Sequence, residues 1–286
     1  MKKFMIGCLI SGFVFIAIGV ITVITSVSMG VTEHIKDSFN EASESYEMVY
    51  AEYETATGLD FELEGSNVEV SEGVVFSIRY PKYKNSDFQS YIDADGTWHI
   101  EGALHNTKFS LASMFFNLIY DEEDKIYITV PEGTVFTGID ISADAGKVVC
   151  NDISAKTLSI DADAGNVEIN SINISDKIEI DCSAGNVEID GATASELYIN
   201  LDMGNIDWSG DVSGDINAEC NMGNITIELF SSIKDYNYSA TSNMGNITLN
   251  GNEYAGFSES VNVQNGAGKN IVLHTNMGNI DIIVIE

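Results

Sequence analysis

A glycine recurs along the second half of the chain at an interval close to twenty residues. The successive spacings are 19, 20, 19, 19, 22 and 33 residues. The next residue is Asn in six of the seven cases, and the one after it is always Val or Ile. The seven positions are Gly146, Gly165, Gly185, Gly204, Gly223, Gly245 and Gly278. A near-constant interval of this length is typical of stacked repeats, in which each unit contacts only its neighbours.

The residues before each glycine alternate between apolar and polar. Positions one, three, five and seven before it are apolar in 26 of 28 cases, and the exceptions are Ser242 and Thr275. Positions two and four after it are apolar in the units around Gly165 and Gly223 as in the others. Alternation with a period of two indicates strands with one buried face. The sequence therefore predicts an all-β fold, a parallel β-solenoid with about 20 residues per coil.

Each glycine is predicted to form a corner of the coil, where a positive φ or a tight bend excludes a side chain. The Asn that follows is predicted to hydrogen-bond to its equivalent in the next coil, at a separation of about 4.8 Å. This ladder would consist of Asn166, Asn186, Asn205, Asn224, Asn246 and Asn279. The residue before the glycine changes from Ala to Met after the third repeat, and we expect the Met side chains to fill a larger cavity inside the corner.

The first thirty residues predict a membrane anchor. Lys2 and Lys3 precede an apolar run from Phe4 to about Met29. This run exceeds the 7–15 residues of a signal-peptide core and the roughly 20 residues that span a bilayer. We therefore expect an uncleaved, single-pass signal anchor, with a cleavable signal peptide as the alternative. The two lysines place the N-terminus in the cytoplasm and the rest of the chain outside the cell membrane.

The remaining chain divides into an acidic juxtamembrane stalk over 31–58 and a β-solenoid domain over 59–286. The stalk contains no Pro, and its apolar spacing permits a helix. Within the domain, 59–138 would form N-terminal strands and a cap, and 139–286 the regular coils. Strands are predicted at 59–63, 68–70, 74–80, 98–100 and 126–130. The apolar segment 109–120 would cover the open end of the stack, or alternatively contact a membrane or a partner.

The charge of the chain excludes some classes of partner. The sequence has 13 Lys and Arg against 44 Asp and Glu, a net charge of −31. A nucleic-acid partner is not expected, because no basic surface is available to neutralise phosphates. Such a charge should instead repel anionic lipids and wall polymers.

The order of several motifs resembles the bacterial putative-adhesin family, a domain of unknown function with β-strand repeats. The matching segments are Asp95–Ile100, Ile126–Phe136, Ile139–Gly146 and the later glycine corners, so the resemblance covers residues 59–286. It implies a right-handed solenoid, membrane anchoring and export, and a role at the cell surface or in envelope stress. The family offers no catalytic residue to carry over.

No constellation in the sequence predicts catalysis, a cofactor or a metal centre. The four histidines are scattered, and no C-x-x-C or H-E-x-x-H pattern occurs. Cys150, Cys182 and Cys220 are predicted to be buried, reduced thiols, because two coils separate Cys182 from Cys220. The run Asp161–Asn166 superficially resembles a calcium loop. Strand alternation explains its carboxylates as outward side chains, and a weak cation site is the alternative.

These features together predict a non-enzymatic, membrane-anchored envelope protein that acts as a scaffold, a sensor or a binding module. One alternative is an adhesin that contacts an external ligand through Tyr198, Trp98 or the insertion Asn250–Gly268. That insertion could equally be a tolerated surface loop or a degenerate extra coil. A remote alternative is a polysaccharide-active β-helix enzyme, which would need paired carboxylates. Self-association through the terminal strand Ile280–Glu286 is a further alternative, since an exposed edge can template pairing.

Overall fold

A computed structural model describes residues 46–84, 86–104 and 125–285. These residues form eighteen strands and a single 3₁₀ turn at Ile233–Asp235. The first nine strands are β1 (Glu47–Tyr53), β2 (Gly58–Leu63), β3 (Asn67–Gly73), β4 (Phe76–Lys82), β5 (Gln89–Ile92), β6 (Thr97–Gly102), β7 (Lys125–Pro131), β8 (Val135–Phe136) and β9 (Ile139–Asn151). The others are β10 (Ser154–Asn170), β11 (Asn173–Ala194), β12 (Glu196–Val212), β13 (Ile216–Met222), β14 (Ile225–Leu229), β15 (Tyr236–Leu249), β16 (Asn252–Val263), β17 (Lys269–Met277) and β18 (Ile280–Val284).

The regular coils stack by parallel pairing in register. Strand β10 pairs with β9 on one side and with β11 on the other, and β11 then pairs with β12. Gly165 lies opposite Gly146, and Gly185 lies opposite Gly204, so the corners align from coil to coil. The prediction of an all-β, solenoid-like stack is confirmed. The strands predicted from alternation within 59–130 are confirmed as β2, β3, β4, β6 and β7.

Each coil has three sides. The first side is formed by the residues before the corner glycine and the second side by the residues after it. A short third side joins one coil to the next, as where Ala155 pairs with Phe136 and Ala194 pairs with Val212. The side chains three, five and seven residues before every corner glycine are buried, and so are those two and four residues after it. Inward apolar side chains from all three sides therefore form one continuous core.

The coils at the C-terminal end do not stack in the order of the sequence. Strands β17 and β18 pair in parallel with β13 and β14, and also with β15 on their other flank. The last coil of the chain therefore lies between the two coils that precede it. The expectation that Ile280–Glu286 forms an exposed edge is wrong for Ile280–Ile282, which pair with β14 on one side and β15 on the other. Self-association through this strand stays a prediction.

The N-terminal end shows the same out-of-order arrangement. Strand β2 pairs in parallel with both β6 and β9, and β3 pairs in parallel with both β7 and β9. Residues 58–73 thus form a complete level of the stack rather than a cap. The predicted helical stalk over 31–58 is wrong for its last part, because β1 is a strand that pairs antiparallel with β4. Val49, Ala51 and Tyr53 of β1 lie on one face of this strand and pack against the core, as the alternation of a strand requires.

Antiparallel strands cover both ends of the stack. At the N-terminal end, β4 pairs antiparallel with β7, and β5 pairs antiparallel with β6. At the other end β16 pairs antiparallel with β15 over eleven residue pairs. The insertion Asn250–Gly268 is therefore neither a loose loop nor an extra coil, but largely a covering strand. The predicted cap at 109–120 lies outside the described residues.

The corner glycines allow a close approach between coils. A Cβ atom on Gly185 would lie 1.4 Å from the carbonyl oxygen of Gly165, and one on Gly204 would lie 1.4 Å from that of Gly185. The φ angles there are 145° and 140°, which strain any residue with a side chain. Ser242 and Thr275 are the two polar residues at otherwise apolar inward positions, and each bonds to the carbonyl group of a corner glycine. Ser242 donates to Gly278 O at 2.8 Å and Thr275 donates to Gly223 O at 3.1 Å.

Among the residues that the structure describes, no helix is long and apolar enough to cross a membrane. The predicted anchor at 4–29 lies outside them.

Substitution of a corner glycine should destabilise the stack far more than substitution of a loop glycine. Gly185→Ala forces a backbone clash, so we expect a loss of about 3 kcal/mol or more in the free energy of unfolding. Gly268→Ala is the matched control, because a Cβ there meets nothing within 4 Å and its φ is not strained. Urea denaturation of the full-length chain, followed by circular dichroism, measures both. Equal losses would contradict the assigned role of the corner.

Candidate functional site

The corner asparagines form a ladder along the stack. The side-chain oxygen of Asn186 accepts from Asn205 N at 3.1 Å and from its Nδ2 at 3.0 Å. The next coil repeats this pattern, with Asn224 donating to Asn205. The complete order is Asn166, Asn186, Asn205, Asn224, Asn279 and Asn246, so the last two stand in the reverse of their sequence order. Asn246 Nδ2 donates to the Glu253 carboxylate of β16 instead of to another corner asparagine, so the ladder ends at Asn246.

A further asparagine occupies the corner position two levels from Asn166, with Lys147 at the corner of the level between them. Asn67 precedes β9 in the stack, and its Oδ1 accepts from Lys147 N at 2.7 Å. Asn67 therefore occupies the corner position of the level formed by β2 and β3. Its unit has Ser66 in place of glycine, which hides it from a search for Gly-Asn pairs.

The methionines at the corners point outward, so the prediction that they fill an internal cavity is wrong. Met203 and Met244 are 48% exposed, and Met222 and Met277 are 41% exposed. Alternation stops at the corner, where the residues one and two before the glycine both face solvent. The tight approach of the glycine backbones leaves no internal cavity for a side chain to fill.

The first side of the regular coils carries exposed carboxylates at successive levels. In β10 these are Asp161 and Asp163, which alternate with the buried Ile160 and Ala162. Along the stack, the exposed acids on this side are Asp140, Asp144, Asp161, Asp163, Asp181, Glu196, Asp202 and Glu219. The coil separation of about 4.8 Å fixes their spacing. Lys177 lies on the same side and is paired with Glu179 at 2.5 Å. The side therefore presents a flat, strongly acidic surface.

A cluster of titratable groups surrounds His99 in β6. Its Nε2 lies 3.0 Å from Asp93 Oδ2, and its Nδ1 lies 3.0 Å from Asp60 Oδ2. Asp60 Oδ2 lies within ion-pair distance of Nδ1, but the two groups are not aligned for a hydrogen bond. Glu101 lies 3.8 Å from Nδ1, and the Tyr91 ring stacks on the imidazole at 5.1 Å. Both ring nitrogens therefore face carboxylates, which leaves neither directed at a nucleophile.

The neighbours of His99 shift several pKa values. The hydrogen bond with Asp93 raises the pKa of His99, and the charge of Asp60 adds to this effect. The same hydrogen bond, together with the backbone N–H of Thr97, lowers the pKa of Asp93. Asp140 lies opposite Asp60 in register, and burial followed by the charge of Asp60 raises its pKa. The cluster is therefore a proton-sensitive structural contact at the N-terminal end of the stack.

A shallow depression of about 400 Å³ lies on the third side near the C-terminal end. Hydroxyl groups line it at successive levels, and Ser195 Oγ donates to Ser175 O at 2.9 Å. Asp211 and Lys269 supply one charge of each sign, and the Lys269 ammonium also lies 4.9 Å from the centre of the Tyr236 ring. These groups suit hydrogen bonding to a small polar molecule.

The three cysteines of the solenoid are free and buried, as predicted. Leu201 lies between Cys182 and Cys220 in the stack, so two coils separate them. Burial raises the pKa of Cys150 to about 12. Protonated, buried thiols of this kind pack as small apolar side chains.

Residues 56–283 match the family model of Toastrack DUF4097. The chain belongs to this family. The resemblance to a putative-adhesin family of unknown function is thereby confirmed. No protein with a curated description matches the chain.

Solved structures similar to this Toastrack chain include a putative cell adhesion protein from Clostridium sporogenes and a putative adhesin from Bacteroides fragilis. The first is 14% identical with a TM-score of 0.37, and the match covers 84% of this chain and 100% of the other. The second is 12% identical with a TM-score of 0.43, and the match covers 84% of this chain and 98% of the other.

Two aromatic residues that the sequence suggested as adhesive contacts differ in exposure. Trp98 is fully buried, where its ring lies 4.8 Å from Tyr53 and its Nε1 donates to Ser90 Oγ. It cannot contact a ligand. Tyr198 is half-buried on the first side of the Toastrack domain, beside Lys177.

The sequence analysis did not predict the His99 cluster, although Asp60 and His99 each lie between two apolar residues of a strand.

The stability of the Toastrack domain should depend on the protonation of His99. Because its pKa is raised above the ordinary value of about 6.5, the stabilisation is complete below about pH 6.5 and is lost as the pH rises through the raised pKa. His99→Gln should therefore lower the free energy of unfolding by about 1 kcal/mol at pH 6, and by less at pH 9.

Urea denaturation at the two pH values measures this difference. His274→Gln is the control, because His274 Nε2 contacts the amide oxygen of Asn276 rather than a carboxylate. A deficit in His99→Gln that is independent of pH would show that the ring acts by packing alone.

Proposed function

We propose that the chain is a membrane-tethered binding module that presents a rigid β-solenoid, wound right-handed, outside the cytoplasm. The tether is the apolar run 4–29, with Lys2 and Lys3 on the cytoplasmic side. The module acts by adhesion or docking rather than by chemistry, and envelope stress is the setting in which we expect it to work. The exposed carboxylates that repeat along the first side carry this proposal.

The acidic side suits a cationic partner with an extended surface. Hydrogen bonds between coils hold its acids and amides in place, as where Asn200 Nδ2 donates to Asp181 Oδ1 at 3.1 Å and Asn221 Nδ2 donates to Asp202 Oδ1 at 2.7 Å. A surface that is already ordered loses little conformational entropy when it binds. Its negative potential speeds the encounter with a positively charged surface.

Neutralising the acidic side should weaken attachment to a cationic surface. We compare Asp161→Asn/Asp163→Asn/Asp181→Asn with Glu188→Gln/Asp190→Asn/Asp207→Asn, which removes three exposed carboxylates from the second side. Both triple variants have the same net charge and keep hydrogen-bonding side chains. Retention of cells that display each full-length chain on a polylysine-coated surface should fall several-fold more for the first variant. Equal retention would show that net charge alone binds, and would overturn the assignment of this side.

The topology can be tested with one introduced thiol. Gly268 is exposed, and the native cysteines of the solenoid are buried. A membrane-impermeant maleimide should therefore label Gly268→Cys in intact cells, whereas the wild-type chain gives the background. Labelling that requires cell lysis would contradict the extracytoplasmic placement.

A further inference from the structure

Four methionines form an exposed stripe along one corner of the stack. In spatial order they are Met203, Met222, Met277 and Met244, and we call them the methionine stripe. Register pairs Met203 with Met222, and Met222 with Met277. Met244 follows at the next level, where its carbonyl oxygen accepts from Gly278 N at 2.9 Å. The four thioethers therefore stand on four consecutive levels, about 4.8 Å apart.

Out-of-order stacking sets the order of the methionines within this stripe. Met222 and Met277 are 55 residues apart in the chain and are neighbours in space because β17 lies between β13 and β15. Had the coils followed the sequence, Met244 would have taken the place of Met277. The fold thus assembles a continuous row of one side-chain type from segments that are distant in sequence.

Two amide ladders border the stripe. On one flank Asn276 Nδ2 donates to Asn221 Oδ1 at 2.6 Å, and Asn243 Nδ2 donates to Asn276 Oδ1 at 2.7 Å. On the other flank lies the ladder of corner asparagines, where Asn279 Nδ2 donates to Asn224 Oδ1 at 3.2 Å. These amides bond to one another, and the four thioether side chains between the ladders are 41–48% exposed. The ladders also hold the underlying backbone at a fixed spacing.

The chemistry of the stripe favours a soft cation. Thioethers are neutral, polarisable ligands that select Cu(I), whereas Mg²⁺ and Ca²⁺ prefer oxygen. Three rotatable bonds let neighbouring Met side chains bring their sulfur atoms to one ion. Leu or Ile would cover the corner equally well, yet the residue before the glycine is Met at all four of these levels. The stripe therefore holds four of the nine methionines of the chain. The net charge of −31 raises the local concentration of cations.

We propose that the methionine stripe is a binding site for Cu(I), held by thioether sulfur atoms of adjacent coils with Met222 and Met277 at its centre. The ion binds in the Cu(I) state, and each sulfur donates a lone pair, so no electron is transferred and no proton is released. Binding is therefore insensitive to pH over the range in which the fold is stable.

Competition with a chromophoric Cu(I) chelator, under anaerobic reducing conditions, tests this site. We use the full-length chain in a mild detergent, with Cys8→Ser in every sample because an anchor thiol would also bind Cu(I). In this background Met222→Leu/Met277→Leu should weaken Cu(I) binding at least tenfold. Leu keeps the apolar volume of Met, so the stack should keep its unfolding temperature.

Met48→Leu is the matched control, since Met48 is 46% exposed and lies outside the stripe. It should bind Cu(I) as the parent does. X-ray absorption of the bound copper should show sulfur ligands in the parent. No competition by the parent, or equal affinity in the double variant and the parent, would overturn the proposal. Copper bound mainly through nitrogen or oxygen would overturn it as well.

Discussion

The contact on which the rest of the structure depends is the approach of one corner glycine to the carbonyl group of the glycine below it. A Cβ atom added to Gly185 would lie only 1.4 Å from Gly165 O. A side chain at this position is therefore incompatible with in-register stacking. The glycines thus fix the spacing of the levels. Once that spacing is set, the strands on either side pair in parallel, the Asn side chains reach the next coil, and the outward residues fall into straight rows.

The secondary structure of this chain is predictable because alternation is a local property. Leu59–Leu63 and Ile126–Val130 alternate as strands do, and they are strands. Alternation failed at the methionines, because the period of two ends where the backbone turns the corner. It also failed to show that Glu47–Tyr53 is part of the sheet, since apolar tyrosines at mixed spacing fit a helix as well as a strand.

The order of the coils could not be predicted from near-identical units. The segments around Met222, Met244 and Met277 share the residues Asn-Met-Gly-Asn-Ile, so each can pair with either of the others. The same ambiguity concealed the His99 cluster. Asp60 and His99 lie 39 residues apart, and only the register of β2 against β6 makes them neighbours. Sites in a stack of this kind depend on register, which is a property of the whole assembly.

The placement of β17 and β18 between earlier coils has a consequence for how the chain reaches its native state. Residues 269–284 are synthesised after β15 yet fill a level between β15 and the coil of β13 and β14, so the coil of β15 cannot hold its final neighbours until they arrive. At this end, the stack therefore cannot fold by adding completed levels one after another in the order of the sequence. A chain that is synthesised from its N-terminus would either wait with β14 paired only to β12 or form a provisional contact between β14 and β15 and then exchange it. Completion of this end of the stack thus requires residues 269–284.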